Sequence, residues 1–262
     1  MRYVLLCACA AALLAMQACN SSSTPTAEPP NYFKGLGTVG SYWVYENYEI
    51  DTNGVTQSTF YLDSTWVAGI SVVDGRNASI LVSQSTIDGV VNTDTTRIAR
   101  DSNKLYAYIN PAENPLLPDQ NQSSWVLVAH LDTSATWNAF NPITLKQDLD
   151  FGGTAVSIDI KIEGIISTKG DTAFTAANGV KYTTKNFGLL PKISGKITPK
   201  ATPFFSFPLS SSGGEQRQFF ADGVGLVGER AEPSVFNIGD GTLVPPQKQP
   251  GSLRKLLRYS VK

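Results

Sequence analysis

Histidine and cysteine are nearly missing from this 262-residue chain. There is one histidine, His130, and the three cysteines, Cys7, Cys9 and Cys19, all fall within the first 19 residues. Zinc, copper and iron sites draw on thiolate and imidazole ligands, so past residue 19 the chain lacks the means to build one. No disulfide can form there either. A nucleophilic centre activated by imidazole would depend on His130 alone, and no Gly-x-Ser-x-Gly elbow accompanies it. In "WVLVAHLD" it reads as an ordinary strand histidine. Charge is also scarce: Asp, Glu, Lys and Arg make up 16% of residues and the formal net charge is −1, where about a quarter charged is usual. Without a basic face to neutralise phosphates, nucleic acid is a poor partner. Long helices are lacking too: no window reads as a helix of ten or more residues, and a helical reading of Leu253, Leu256 and Leu257 near the end of the chain is the alternative to a last strand there.

What is present begins with an export signal. Arg2 gives a positive start and Val4 to Met16 an unbroken apolar run, the size of a signal-peptide core and too short for a permanent membrane span. In "LLAMQACNSSSTPT" the apolar run stops at Cys19 and small polar residues follow. The stretch resembles the export signal of bacterial lipoproteins, in which a small residue, here Ala18, precedes a cysteine that becomes the lipidated first residue. The resemblance makes Cys19 the lipid attachment site, the membrane a partner through that anchor, and the bacterial cell envelope the location. Each buried acyl CH₂ contributes about 0.8 kcal/mol, so several chains hold a protein on a bilayer. The alternative is cleavage nearby by the ordinary signal peptidase, leaving an inert thiol. Residues 20–34, "NSSSTPTAEPPNYFK", carry three prolines and no hydrophobic period. They read as a tether that reaches roughly 45 Å at about 3.1 Å per residue when extended.

From residue 35 to 262 the pattern is that of a single antiparallel β domain. "WVYENYEI", "STFYLDSTWV", "ASILVSQSTI", "TTRIAR", "LYAYI" and "SSWVLVAHL" are rich in β-branched and aromatic residues, as strands are. Between them stand Asn53-Gly54, Asp74-Gly75, Asp88-Gly89 and Asn103-Lys104, turn pairs that make successive strands antiparallel neighbours. The most regular strand is "AVSIDIKIEGI": Val156, Ile158, Ile160 and Ile162 take one face and Ser157, Asp159, Lys161 and Glu163 the other. The final "LRKLLRYSVK" reads as a last strand that seals a sheet edge. Pro111, Pro115 and Pro118 mark a long surface loop, and "TPKATPFFSFPLSSSGGEQ" an irregular joining stretch.

Few residues suggest chemistry. Asp148 and Asp150 before Gly152-Gly153 faintly resemble a calcium loop, but further acidic ligands are missing. The glycines of "ADGVGLVGE" lack the strand-to-helix switch of a nucleotide loop and read as a turn and a short strand. Aromatic residues are the stronger lead. Phe204, Phe205 and Phe207 lie between Pro203 and Pro208, and Phe219-Phe220 follow a polar stretch. Adjacent strand residues face opposite ways, so at least one of each pair points away from whatever the others bury. On a curved sheet these side chains, with Trp43 and Tyr45, are candidates to line a concave face or its rim, the alternative being that they fill core and corner gaps.

"GSYWVYE" (40–46), "ANGVKYTTKNF" (177–187), "FFADGVGLVGE" (219–229) and the terminal "LRKLLRYSV" together resemble an arrangement in bacterial secreted lipoproteins. Those open on a Gly-x-x-Trp-x-Tyr strand and close on Gly-Val-Gly-Leu-Val and Leu-x-x-Tyr strands. Their layout is similar to half-barrel envelope lipoproteins of the lipoprotein-carrier and mycobacterial lipid-binding kind. The resemblance implies a large curved antiparallel sheet, a half-barrel or open barrel with little helix, around a hydrophobic concavity, and it brings no cofactor and no catalytic residues. Three functions follow: a non-catalytic module binding a hydrophobic or amphipathic ligand, an envelope structural or interaction protein with a filled core, and, least supported, a carboxylate-based hydrolase.

Overall fold

The computed structural model describes residues 30–109, 124–132, 136–140, 142–151, 153–239 and 244–262. Cys19 and the loop holding Pro111, Pro115 and Pro118 lie outside the described residues. Among the described residues there is no helix, and the strands form one mixed-length sheet in which every pairing is antiparallel. A meander opens it: β1 (Tyr42–Ile50), β2 (Thr56–Val73), β3 (Arg76–Ile87), β4 (Val90–Asp101), β5 (Lys104–Ile109) and β6 (Ser124–His130), each beside the next. Two of its hairpins turn on Asp74-Gly75 (φ 45 and 75) and Asp88-Gly89 (φ 52 and 79). Positive φ at both central residues matches the right-handed twist of the flanking strands. In the β4–β5 hairpin the positive angle falls on Ser102 (φ 47), between paired Asp101 and Lys104, one place earlier than Asn103-Lys104 suggested.

The second half is β7 (Thr136–Asn138), β8 (Ile143–Phe151), β9 (Thr154–Thr175), β10 (Lys181–Pro199), β11 (Phe207–Gly213), β12 (Gln216–Ala221), β13 (Gly225–Ala231), β14 (Ser234–Ile238), β15 (Gln247–Gln249) and β16 (Gly251–Ser260). The last strand does not seal an edge. β16 lies between β1 and β13 and joins the meander to the rest. Leu256 (0% exposed) and Leu253 (8%) are both buried, which suits a strand hydrogen-bonded on both sides. Nor is 198–216 all irregular, because β11 pairs with β10 and β14.

β10 forks the sheet. Its first part, Thr184 to Leu189, pairs with β12, while Ser194 to Ile197 pair with β11 and lead on to β14 and β15. The regular strand of Val156, Ile158, Ile160 and Ile162 lies in this second branch, opposite Leu149, Leu145 and Ile143 of β8 and Ile197 and Ile193 of β10. Only Val156 is buried and the isoleucines are half-buried. Alternation reported their shared face correctly, yet that face lies off the main core, which takes no residue from β8 or β11.

Ahead of the fork the sheet curls into a half-barrel. Register shifts at Val44/Tyr45, Val67/Gly69, Leu105/Tyr106 and Phe219/Phe220 each add a residue to one strand and sharpen its bend. The curl brings β6 back toward β7 and β9: Trp137 Nε1 donates to the Leu127 carbonyl at 2.8 Å, and Val126, Ala139 and Ile166 pack together. The described unit runs from Asn31 to Lys262. Asn31 N–H donates to Asp222 Oδ1 at 2.6 Å, the Gly223 N–H donates to the Asn31 carbonyl at 3.1 Å, and Phe33, 1% exposed, sets its ring edge-on to Phe220.

Candidate functional site

Residues opposite one another in an antiparallel ladder share a face. Trp43 faces Thr65, Tyr45 faces Asp63, Thr65 faces Ser83, Val67 faces Leu81, Leu81 faces Thr96 and Ile98 faces Ala107. The curl wraps this face around a cavity of about 270 Å³, near the lower end of small-molecule sites. Leu36, Trp43, Leu81, Ile98, Leu105, Ala107, Val128, Phe220 and Leu226 make its apolar wall. Trp43 is anchored by Nε1 donating to the Val224 carbonyl at 2.8 Å, and Tyr45 by its hydroxyl donating to the Leu226 carbonyl at 3.0 Å.

One side of the same cavity is polar. Arg254 donates through one terminal nitrogen to Asp63 Oδ1 and to Thr65 Oγ1, each at 2.8 Å, and through the other to Glu229 Oε2 at 2.9 Å. Gln218 Nε2 donates to Glu229 Oε1 at 2.9 Å, and the Thr65 and Ser83 hydroxyls share a hydrogen bond at 2.9 Å. The guanidinium lies 3.8 Å from the centre of the Tyr45 ring, a favourable cation–π contact. Burial works against the charge on Arg254, but Glu229, Tyr45 and Asp63 outweigh it and raise its affinity for the proton. Burial is also the main reason the Tyr45 phenol is pushed up, with Arg254 pulling the other way. The cluster therefore offers a fixed guanidinium between two carboxylates.

A second cavity of about 260 Å³ adjoins the first, sharing Val128, Gln218 and Glu229 with it. Arg217 and Arg230 line it. Arg230 pairs with Glu232 at 2.7 Å, and Arg217 and Lys169 both pair with Glu215. Burial raises the Glu215 carboxyl, and these two cations more than offset it, so the group sits below its usual range.

The aromatic candidates separate into three places. Trp43, Tyr45 and Phe220 line the cavity. Phe219, the neighbour of Phe220, points the other way and stacks on Phe174 with ring centres 4.5 Å apart. Phe207 sits half-buried on β11 opposite Ile197. Phe204 and Phe205 stand 79% and 59% exposed between β10 and β11, with ring centres 4.9 Å apart, so they do not line the concavity. Pro203 and the turn that begins at Pro199 lift them clear of the sheet. Asp148 is tied to Lys200 at 2.6 Å and Asp150 Oδ1 accepts the Gly153 N–H, and no group of three metal-ligating side chains occurs among the described residues. His130 is half-buried at the end of β6, opposite Lys104.

Sequence reading missed the polar side of the cavity. Asp63 and Arg254 are 191 positions apart, and no local spacing joins them. The available signal was an arginine inside an apolar terminal strand, beside Leu253 and near Leu256.

No family model and no curated protein matches the chain. Among solved structures, a protein from Parabacteroides distasonis ATCC 8503, provisionally described as a lipoprotein, is similar at 10% identity with a TM-score of 0.44, covering 88% of this chain and 99% of its own. A protein from Bacteroides fragilis NCTC 9343, provisionally described as exported and having a YmcC-like fold, is similar at 10% identity with a TM-score of 0.36, covering 87% of this chain and 99% of its own.

Proposed function

We propose that this is an exported protein of the bacterial envelope, anchored through a lipid on Cys19, whose curled sheet is a non-catalytic module for a hydrophobic or amphipathic ligand. The observation that carries the reading is the cavity enclosed by Trp43, Tyr45, Leu81, Ile98 and Phe220 on the concave face. Apolar walls with a few converging polar groups are the usual make-up of a small-molecule site. Glu229, the acid that lines this cavity, and Asp63 behind it are both held by Arg254, which suits fixed charge better than proton transfer. A fluorescent naphthylamine dye that brightens in apolar surroundings tests the reading. Wild-type protein should bind it saturably, and Leu81→Arg, which fills the cavity from β3, should abolish the signal while the β circular dichroism is kept. A signal unchanged by Leu81→Arg would place dye elsewhere and remove the support.

A second reading, an interaction protein of the envelope, is favoured by the exposed Phe204–Phe205 pair. Replacing both by serine should then abolish capture of an envelope partner without changing dye binding.

A further inference from the structure

Resting on the binding reading above, we infer that the cavity selects amphiphiles with an uncharged, hydroxyl- or amide-bearing head and rejects the carboxylate of a fatty acid. The argument is one of charge and of hydrogen-bond supply. A binding protein for fatty acids would be expected to meet the head with an unmatched cation. Here the only cation lining the cavity, Arg254, is flanked by two carboxylates, Asp63 and Glu229, at 2.8 and 2.9 Å. The cluster, of which Arg254 and Glu229 line the cavity and Asp63 lies behind, thus carries one positive and two negative groups. Their side chains are only 16%, 14% and 33% exposed, so solvent screens them weakly. An incoming carboxylate would meet a surplus of its own sign after losing its hydration, and like charges brought together in such a place repel.

A neutral head has partners instead. A hydroxyl can donate to the Glu229 carboxylate, which lines the cavity and whose oxygens each have more than one acceptor site. Arg254 Nε–H is enclosed without an acceptor, so the cluster is one acceptor short of complete. A small turn of the guanidinium toward a hydroxyl or carbonyl oxygen would supply it with no added charge. The Thr65 and Ser83 hydroxyls extend the polar strip along β2 and β3, where a head with two or three polar groups fits better than a single ion. Beside this strip, the wall of Leu36, Trp43, Leu81, Ile98 and Phe220 takes the alkyl chain. In the adjoining cavity the lining cations are Arg217 and Arg230.

The test compares two ligands with the same ten-carbon chain, monodecanoylglycerol and decanoate, by calorimetric titration of the full processed protein at neutral pH and below their micelle thresholds. Wild type should bind the glycerol ester at least about tenfold more tightly than decanoate, equal to about 1.4 kcal/mol. Glu229→Gln keeps the shape of the cluster and removes one negative charge, so it should narrow that ratio to within about threefold by strengthening decanoate binding. Asp63→Asn should act in the same direction, which keeps the test available if one variant folds poorly. Decanoate binding as tightly as the ester in wild type, or a ratio unmoved by both variants, would overturn the inference and leave the binding reading standing. Binding of neither ligand would overturn that reading, and the inference with it.

Discussion

Gly228 offers a sharp test of the packing between the two faces of the half-barrel. It lies on β13 opposite Phe219, and its backbone φ is not in the left-handed region, so conformational strain is no part of its role. A methyl group placed there would come within 2.1 and 2.4 Å of Phe174 Cζ and Cε1, and 2.9 Å of the Arg254 carbonyl oxygen. Real Cβ atoms stay beyond about 3 Å from such neighbours, and Phe174 cannot simply swing aside because it stacks on Phe219 at 4.5 Å. Overpacking of a close-packed site costs about 1–3 kcal/mol, and the depth of this overlap puts Gly228→Ala toward the upper figure. For a unit of this size each kcal/mol lowers Tm by about 2–4 °C, so a fall of roughly 5–10 °C is expected, with a lower urea midpoint and an unchanged m-value. Phe174→Leu removes the ring atoms in question. Added to it, Gly228→Ala should cost at least about 1 kcal/mol less than it does alone, a coupling that neighbours in contact show and distant sites do not. A Gly228→Ala protein as stable as wild type, or strict additivity with Phe174→Leu, would refute the reasoning.

Other perturbations have equally definite outcomes. Arg254→Met leaves Asp63 and Glu229 without their cation and should destabilise the protein by about 3–5 kcal/mol, whereas adding Asp63→Asn and Glu229→Gln to it should recover most of the loss in urea unfolding. Trp43→Phe strands the Val224 carbonyl, now bonded at 2.8 Å, and should cost about 1–3 kcal/mol by the same assay. The Tyr48 phenol donates to the Glu46 carboxylate, and that bond, with some burial, pushes it up from 10.0 to about 12. Because the folded state holds this proton more tightly than the unfolded chain, the contribution is intact below about pH 10 and lost as pH rises toward 12. Among the tyrosines that ionise late, which include the buried Tyr45, ultraviolet titration should show a component at about 12 that disappears in Tyr48→Phe and returns toward 10 in Glu46→Gln.

The curved antiparallel sheet was legible because its information is local. Alternating residues announce a strand's two faces, and Asp-Gly pairs announce the turns, so β1 to β6 could be read as a meander directly from their residues. The position of β16 could not, since a strand's own pattern does not say which strands lie on either side of it. The half-buried isoleucines of β9 show the same limit from the other direction: their period is perfect, yet burial depends on the fork in β10, far along the chain. At the cavity, Trp43, Tyr45 and Phe220 were recognisable as large aromatic residues of strands, but which of Phe219 and Phe220 turns inward was not. Phe204 and Phe205 carry the same composition and stand in solvent, because the turn after Pro199 lifts them off the sheet. The Arg254 cluster draws its members from β2, β12, β13 and β16. Gln218, Glu229 and Arg254 stand opposite one another in the ladder and Arg254 reaches across β1 to Asp63 and Thr65, so the order of the strands brings them together, and no local pattern states that order.

Native mass spectrometry of the processed protein, gently extracted from its host, bears most directly on the claim that the half-barrel holds an amphiphile. The account predicts a covalent acyl addition at Cys19 together with a non-covalent adduct of a neutral amphiphile, released on mild activation and missing from Leu81→Arg. A spectrum showing the bare polypeptide, or an adduct retained in full by Leu81→Arg, would contradict it.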